Sequence, residues 1–567
     1  MHDLVVRLLA KRGITEAAAV AAFLNPDYEL HTHSPFLLRG MDVAVARVFD
    51  AMEKNERVAV YADFDCDGIP GAALLSDLFN KIEYKNFEVY LPHRDREGYG
   101  FHTEAIETLA GQGVKLIITV DVGTTAFDAV AFAKEKGVDV IVTDHHEPIR
   151  EPSASNGPGI PGALPGAVAM LNPKLAPYPF PHLCGAAVAF KLAQAILAEG
   201  HKRELKQFEA IPQGWEKWLL DMVAIATVAD MVPLVGENRA LTHWGLQVLR
   251  KSPRPGIQAL CAKLRLRQSE LSESDIGFSI APRVNAASRM DEPDLALQLL
   301  ITRDVAEAEH LAAQLEKLNT RRKSVVASLV KQARTHVKER YKDDERVVVV
   351  GNPEWKPALL GLAANSVMSD RGGVVCMWGR DVNGKLKGSC RSDGDVSVLE
   401  LFENAGDVFE EYGGHAASCG FTVSHERVHQ LGEALARAAE KLPPRVDGVA
   451  LEHDVSVTLS DISSAFFKEV SKLAPFGIGN PKPIFLLNNT TIVGVKRFGK
   501  ENNHVEVMLE CRASGNSARA FEFFKSPGDF SLEPAPGQFA SLLATIERDS
   551  YRGGLALRIV DIVPVSV

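Results

Sequence analysis

Three aspartates follow an apolar segment near residue 60 at alternating positions. The segment VAVYADFDCDG carries Asp63, Asp65 and Asp67, and a spacing of two residues places their carboxylates on one side of an extended chain. Carboxylates this close repel one another unless a cation neutralises them. The pattern therefore favours a divalent metal bound by oxygen ligands. The alternative is a solvated turn in which one aspartate caps the next helix.

Acidic and histidine side chains also follow the next two apolar segments. Asp121 ends the segment IITVD, and Asp144, His145 and His146 end the segment VIVTDHH. The carboxyl ends of parallel strands line one crevice of an open α/β sheet, so we expect these groups to meet there. Mixed aspartate and histidine ligands suit Mn²⁺ or Mg²⁺ better than zinc.

A fourth acidic position, Asp230, lies in the apolar stretch ATVADMVPL. A buried carboxylate needs a compensating partner, which is either this metal site or a salt bridge to Arg239. Two ions about 4 Å apart can activate a water and stabilise charge on a phosphoryl group. The residues therefore predict a metal-dependent phosphoesterase.

The elements that must position these groups can be recognised from the residue pattern. Short β-rich segments alternate with helix-like ones from about residue 57 to 145, which predicts a parallel α/β sheet. Residues 304–342 contain no proline or glycine and predict a long helix. A second, smaller α/β unit begins at residue 346, and strand-like segments after residue 445 predict a small β-barrel.

Composition restricts the kinds of partner that the chain can bind. The 567 residues include 63 Lys and Arg against 73 Asp and Glu, a formal net charge of −10. This excludes a generally basic surface, so a polyanion must bind locally. Residues 237–270 and Arg321 to Lys323 are local basic clusters that fit either a DNA groove or an ordinary solvated face.

The cysteines and apolar segments indicate the compartment. Seven scattered cysteines without a CxxC pair suit reduced thiols in a cytoplasm. No export signal is visible, and every long apolar stretch is interrupted before the roughly 20 residues that a membrane span requires. We therefore expect a cytoplasmic protein.

Several motifs together resemble a known family. The segments ADFDCDG (62–68), VDVG (120–123), DHH (144–146) and VADMVPL (228–234) resemble the DHH phosphoesterases. Within that group, EGYG (97–100) and APRVNAASR (281–289) resemble the RecJ exonucleases. YGGHAASCG (412–420) is similar to their DHHA1 domain, and LAPFGIGNPKPIF (473–485) to the start of their OB-fold. The resemblance implies a 5′→3′ exonuclease that hydrolyses single-stranded DNA to 5′-mononucleotides.

The resemblance also implies roles for individual residues. Two Mn²⁺ or Mg²⁺ ions would be held by Asp65, Asp67, Asp121, His145 and Asp230, with Asp121 as the bridge and Asp63 as a helper. His146 would face the scissile phosphate, and Asp144 is assigned to catalysis with it. The DNA backbone and its 5′ end would be bound by Arg283, Asn285, Arg289, Arg391, Ser392, Gly413, Gly414 and His415.

The same resemblance implies the domain order and the partners. The expected parts are an N-terminal helical segment (1–50), a DHH catalytic domain (51–303), a connecting helix (304–342), a DHHA1 domain (343–445) and an OB-fold (446–567). Single-stranded DNA is the expected substrate of a monomer. A single-strand-binding protein and a helicase are expected partners in DNA repair and recombination.

Two other functions stay open from the sequence. One is a DHH phosphodiesterase acting on short oligoribonucleotides or cyclic dinucleotides, and the other is a non-catalytic scaffold. Some residues also depart from the family pattern: Lys356 stands where histidine is common, Ala358 replaces a glycine, and so does Ser288. These departures bear on end recognition and processivity, and Lys356 is interpreted as a phosphate contact that acts as a point charge.

Overall fold

The computed structural model describes residues 2–151, 160–443, 452–499, 502–511, 515–549 and 552–565. The elements up to residue 232 are α1 (Asp3–Lys11), α2 (Ala17–Leu24), α3 (Tyr28–His31), α4 (Met41–Glu53), β1 (Arg57–Ala62), α5 (Gly68–Lys81), β2 (Phe87–Tyr90), α6 (Thr103–Gly111), β3 (Val114–Val120), α7 (Phe127–Glu135), β4 (Asp139–Thr143), β5 (Arg150–Glu151), β6 (Ile160–Pro161), β7 (Ala169–Leu171), α8 (Gly185–Lys202), α9 (Lys206–Glu209) and α10 (Leu220–Ala229).

The next described elements run to residue 440. They are α11 (Gly236–Leu249), α12 (Pro255–Leu264), α13 (Glu273–Asp275), α14 (Ala281–Arg289), α15 (Pro293–Ile301), α16 (Val305–Arg340), β8 (Val347–Gly351), α17 (Pro357–Arg371), β9 (Val374–Arg380), β10 (Leu386–Ser392), α18 (Val398–Asn404), β11 (Glu411–His415), β12 (Ser418–Val423) and α19 (Leu431–Glu440).

The last described elements are mostly strands. They are β13 (Val455–Val457), α20 (Ser464–Val470), β14 (Phe485–Phe498), β15 (His504–Glu510), β16 (Ser517–Glu522), β17 (Phe539–Arg548) and β18 (Leu555–Val563). The described residues form two compact units, one from 33–232 with 244–448 and the other from 1–32, 233–243 and 449–567. The predicted boundary near residue 445 lies outside the described residues. Within the described ranges, no helix combines the length and the apolar character needed to cross a membrane.

The larger unit contains a parallel sheet with the strand order β2-β1-β3-β4-β7. Residues 58–62 of β1 and 116–120 of β3 are buried, because helices cover both faces of the sheet and leave apolar side chains no route to water. α5 and α8 pack together on one face. The predicted α/β organisation is confirmed, and all carboxyl ends of these strands point to the same edge.

A 36-residue helix, α16, leads to the second sheet of this unit. Asp304 caps it by accepting a hydrogen bond from the Glu307 amide at 2.7 Å, and the predicted long helix is confirmed. The second sheet has the order β11-β12-β10-β9-β8, with β8 and β9 parallel and the other pairs antiparallel. Leu329 and Val330 of α16 pack against Leu359 of α17 in its core.

One cysteine pair corrects the sequence prediction. Cys376 of β9 lies directly opposite Cys390 of β10, with their Cα atoms 4.1 Å apart, and the two form a disulfide. The prediction that all seven cysteines are reduced thiols is therefore wrong at this pair. The sequence does not reveal it because strand register, rather than the separation of 14 residues, brings the two side chains together.

The smaller unit is built around a closed barrel. Its strands follow the order β14-β15-β16-β18-β17, and β14 also pairs with β17, so the long strand closes the ring. Leu8, Leu9 and Phe23 from α1 and α2 join the barrel core around Phe485. The predicted OB-fold barrel is confirmed, and the N-terminal helices contribute to its core.

Candidate metal and nucleic-acid site

The loops after β1, β3 and β4 and the C-terminal end of α10 bring the predicted ligands together at the carboxyl edge of the parallel sheet. Three groups of side chains have ligand atoms within 4.8 Å of one another: Asp63, Asp65 and Asp121; Asp67, His145 and Asp230; and Asp121, His145 and His146. Two of the three groups share Asp121, and two share His145. The arrangement offers two adjacent positions for cations.

His145 lies at the centre of this cluster. Its Nε2 atom is 3.2 Å from Asp121 Oδ1, 3.6 Å from Asp230 Oδ2 and 3.8 Å from Asp67 Oδ2. Asp121 has a left-handed backbone, with φ at 61°, which a non-glycine residue rarely adopts. This strain turns the chain sharply at the end of β3, and such strain is concentrated at functional sites.

The start of α8 positions Asp67. The amides of Gly185 and Ala186 donate to its two carboxylate oxygens at 2.6 and 2.7 Å. Free amides and the helix dipole favour a negative charge there. A side chain at position 185 is impossible, because its Cβ would lie 2.5 Å from the Cβ of Asp121. Glycine is thus required for the helix to approach the cluster.

Asp65 combines the two roles that the sequence left as alternatives. Its Oδ1 atom accepts from the amides of Asp67 at 2.8 Å and Gly68 at 3.2 Å, at the start of α5. The same carboxylate belongs to the group with Asp63 and Asp121. These two hydrogen bonds hold the Asp65 side chain in one rotamer, so the direction of its other oxygen, Oδ2, is also defined.

The electrostatics of the carboxylates call for a cation. Burial, followed by the neighbouring carboxylates, raises the pKa of Asp67 to about 6 and that of Asp230 to about 9. The same causes place the pKa values of Asp63 and Asp121 well above the usual range. The buried Oδ1 atoms of Asp63 and Asp121 accept no hydrogen bond from any residue that the structure describes. Hard divalent cations fit this set of carboxylate oxygens and imidazole nitrogens.

The two adjacent histidines have opposite protonation preferences. Burial, and then the charge of His146, lowers the pKa of His145 to about 3, so its neutral ring can bind a cation. Burial acts in the same sense on His146, but its Nδ1 lies 2.7 Å from Asp144 Oδ1, and this bond raises the pKa of His146 to about 9. Tyr99 Oη lies 3.2 Å from the same Nδ1 atom. His146 is therefore a cationic donor at neutral pH.

A cluster of arginines lies near the acidic groups. Arg289 is largely buried, and burial followed by the charges of Arg94, Arg322 and Arg391 lowers its pKa to about 9. Its Nη1 donates to the carbonyl of Ala358 at 2.8 Å. Like charges gathered in this way are stabilised by a bound anion.

The remaining predicted nucleic-acid residues divide into two sets. Arg391, Ser392, Gly413, Gly414 and His415 lie on β10 and β11 of the second sheet. The residues of β11 are exposed, and the charge of His415 contributes to the lowered pKa of His145, so this strand is near the acidic cluster. Position 414 needs glycine, because its φ is 145° and a Cβ would lie 2.3 Å from the Ser418 carbonyl.

The side chains of Asn285 and Arg283 bind other residues of the protein. Asn285 Oδ1 accepts from the Cys66 amide at 2.9 Å, which fixes the loop of aspartates after β1. Arg283 pairs with Glu316 of α16 at 2.8 Å. Two of the basic residues in 237–270 are likewise occupied: Arg239 donates to the carbonyls of Phe23 and Ala474, and Arg254 pairs with Asp77 and Asp221.

Two residues near the site escaped the sequence reasoning. Asn172, fully buried, donates to Thr124 Oγ1 and to the His146 carbonyl, both at 2.9 Å, and so supports the histidine loop. Arg94 contributes to the arginine cluster and lies over the Phe64 ring at 4.9 Å. Arg94 could have been found from the sequence, because it lies three residues before the EGYG segment. Asn172 could not, because a single asparagine after a short strand does not indicate a functional site.

Comparison with known proteins identifies the family. Residues 57–227 match the DHH family, N-terminal domain, residues 344–442 the DHHA1 domain, and residues 453–561 the RecJ OB domain. The single-stranded-DNA-specific exonuclease RecJ of Dickeya dadantii (strain 3937) is 30% identical over 90% of this chain and 87% of its own length. The chain belongs to the RecJ family.

Other RecJ proteins extend the match. RecJ of Bacillus subtilis (strain 168) is 33% identical over 97% of the chain, which spans 66% of that relative's length. A crystal structure of RecJ in complex with Mn²⁺ from Thermus thermophilus has a TM-score of 0.78 and 26% identity, covering 99% of this chain and 76% of that one. A RecJ exonuclease bound to manganese has a TM-score of 0.59 and 29% identity, covering 73% of this chain and 97% of that one.

Proposed function

We propose that this chain is a metal-dependent exonuclease that hydrolyses single-stranded DNA. The observation that carries the proposal is the pairing of two regions of opposite charge in a RecJ-family fold. Carboxylates whose pKa values are raised by burial and by one another meet at the carboxyl edge of the sheet, and the arginine cluster around Arg289 lies within electrostatic range of Asp65. A phosphodiester with two divalent cations would satisfy both regions.

The residues present fit two Mn²⁺ or Mg²⁺ ions. Asp63, Asp65 and Asp121 would hold one, and Asp67, His145 and Asp230 the other, with Asp121 near enough to His145 to be shared. Such ions supply an activated water and neutralise charge on the phosphoryl oxygens. The orphaned Oδ1 atoms of Asp63 and Asp121 are the groups that gain most from the ions.

The chain's own residues would orient the DNA. Protonated His146, held by Asp144, would donate a hydrogen bond to the scissile phosphate or a proton to the leaving oxygen. Arg289 and Arg391, with Ser392 and the strand Gly413 to His415, would hold the phosphate at the 5′ end. Binding at that end accounts for stepwise 5′→3′ release of 5′-mononucleotides.

The biological setting belongs to the same proposal. We infer a role in DNA repair and recombination, as a cytoplasmic monomer that receives single strands from a helicase and a single-strand-binding protein. The support is family membership, because a nuclease that requires free single strands depends on other proteins to produce them.

A nuclease assay tests substrate, polarity and metal together. Purified protein is incubated with 5′- or 3′-labelled DNA, single-stranded or duplex, with Mn²⁺, with Mg²⁺ or with EDTA. We expect immediate release of 5′ label as mononucleotide, late release of 3′ label, negligible cleavage of blunt duplex, and complete loss of activity in EDTA. Faster turnover of a dinucleotide than of a long strand would instead support the oligoribonucleotide alternative.

A further inference from the structure

The loop between β2 and α6, residues 91–102, carries two residues that face the site. Arg94 belongs to the arginine cluster, and its charge opposes the rise that burial causes in the pKa of Asp63. Tyr99 contacts His146. Near its start the loop is braced internally, because Glu97 accepts from Tyr90 Oη at 2.7 Å and from the His93 amide at 2.6 Å. The position of this loop therefore decides where Arg94 and Tyr99 lie.

The second sheet and its helices hold this loop at two points. Lys356, immediately before α17, places its Nζ 2.9 Å from Asp95 Oδ2. Asn383, in the turn after β9, donates from Nδ2 to the Arg96 carbonyl at 3.1 Å. Both anchored residues follow Arg94 within two positions, so they restrict the backbone next to it.

Lys356 also reaches a third segment. Its Nζ lies 2.5 Å from Asp291 Oδ2, two residues beyond the end of α14. Arg289 of α14 donates to the Ala358 carbonyl in the first turn of α17, beside Lys356. One ammonium group thus joins the loop 91–102, the end of α14 and the start of α17.

The charges at this junction depend on the lysine. Asp95 is 11% exposed and Asp291 42% exposed, and Lys356 Nζ lies between the two carboxylates at hydrogen-bonding distance from each. Without a cation the two carboxylates would repel each other. Lys356 is already occupied by them, which argues against its interpretation as a phosphate contact. A lysine with three donors can serve both carboxylates at once.

We propose that Lys356 is a positioning residue for DNA binding: it clasps the loop 91–102 to α17 and thereby sets the position of Arg94 in the arginine cluster. This inference rests on the proposed function, because Arg94 is positioned near Arg289 and Arg391, the arginines assigned to the 5′ phosphate. Lys356 itself touches no DNA. The clasp acts on the loop that carries Arg94, whereas the candidate metal ligands lie on other segments.

Steady-state kinetics on two substrates test the clasp. Lys356→Met is compared with wild type on a 5′-phosphorylated single strand and on the small diester bis(p-nitrophenyl) phosphate, with Mn²⁺. We expect KM for the strand to rise about tenfold while its kcat and the hydrolysis of the small diester stay within about twofold. Lys441→Met removes an exposed charge from the same compact unit and should change neither KM for the strand nor the hydrolysis of the small diester.

Two further variants separate the clasp from general destabilisation. The triple variant Lys356→Met, Asp95→Asn, Asp291→Asn removes the repulsion but leaves the loop without its ion pair, so KM for the strand should stay raised about as much as in Lys356→Met. Lys356→Arg keeps the cation and should behave like wild type. A KM unchanged in Lys356→Met, or equal losses on both substrates, would overturn the inference.

Hydrogen exchange gives a readout that is independent of activity. Amides of residues 91–102 should exchange about tenfold faster in Lys356→Met than in wild type or Lys441→Met, while β1 and β3 stay protected. If wild type fails to cleave DNA, the proposed function is wrong. If exchange in the loop does not change in Lys356→Met, the clasp is wrong whatever the activity.

Discussion

In the clustered carboxylates and in the arginine cluster, burial and like charges shift pKa values in opposite directions. In the first region, burial and like charges raise the pKa values of Asp63, Asp67, Asp121 and Asp230. In the second, the same two causes lower the pKa of Arg289. Each region gathers like charges at buried positions, which favours binding of a ligand of the opposite charge.

The two regions differ in what completes them. The carboxylates need cations before a phosphate can approach, whereas the arginines can receive a phosphate directly. Most of the carboxylates follow β1 and β3 of the parallel sheet and Asp230 ends α10, whereas Arg289 and Arg391 lie on α14 and β10. Chemistry and end recognition should therefore be separable by mutation.

The largest effect should come from removing the shared carboxylate. Asp121→Asn removes a ligand of the group with Asp63 and Asp65 and also the carboxylate that lies 3.2 Å from His145 of the other group, so kcat on single-stranded DNA should fall by about a thousandfold or more. Calorimetry should show weakened Mn²⁺ binding, and binding of a strand without metal should be unchanged. Asp128→Asn, an exposed aspartate at the start of α7, is the control and should retain full activity. Full activity in Asp121→Asn would contradict the two-metal proposal.

Loss of Arg289 should mainly affect DNA binding rather than the chemical step. Arg289→Met should lower kcat/KM on 5′-phosphorylated strands by about a hundredfold, mainly through KM, because a charge-assisted phosphate contact is lost. Mn²⁺ affinity should not change. Arg340→Met, exposed at the end of α16, serves as the control. An effect confined to kcat would show that Arg289 acts in the chemical step. It would contradict the division between catalytic carboxylates and DNA-binding arginines.

The pH profile should report the Asp144–His146 pair. The pKa of His146 is raised to about 9, and the protonated ring is the proposed donor, so kcat should fall as pH rises through that value. Asp144→Asn removes the bond that stabilises the cation. The falling limb should then move by about one pH unit or more toward lower pH. An unmoved limb would assign the titration to another group.

The smallest effect concerns stability without metal. The pKa of Asp230 is raised to about 9 by burial and then by Asp67 and Asp65, above its unfolded value. In the metal-free protein, the contribution of Asp230 to the free energy of unfolding should therefore be fully present below about pH 4. It should be lost as the pH rises toward 9. At pH 8 in EDTA, Asp230→Asn should be more stable to urea by about 1 kcal/mol or more.

Added Mn²⁺ should reverse that order, because the cation stabilises the wild-type carboxylate and cannot bind fully to the amide. Equal stability of the two proteins in EDTA would show that Asp230 carries no uncompensated charge. It would also remove the symmetry between the two regions.

The sequence predicted the acidic region better than the cationic one. Asp121 and Asp144 end apolar strands, and the rule that parallel strands share one carboxyl edge is enough to bring them together. No such rule connects Arg94 with Arg289 or Arg391, since these residues lie on a loop, a helix and a strand that are distant in the chain. Arg283, Arg254 and Arg239 have types that suit DNA, yet packing against Glu316, Asp221 and main-chain carbonyls engages them.

By itself the sequence determined the parallel sheet, the long helix, the barrel and the candidate ligands, because strand and helix periodicity and motif spacing are local properties. Tertiary structure alone decided the disulfide between Cys376 and Cys390, the support of the histidine loop by Asn172, and the capture of Lys356 by two carboxylates. These depend on register and on contacts between distant segments, which are set when the apolar surfaces pack together and which local pattern does not encode.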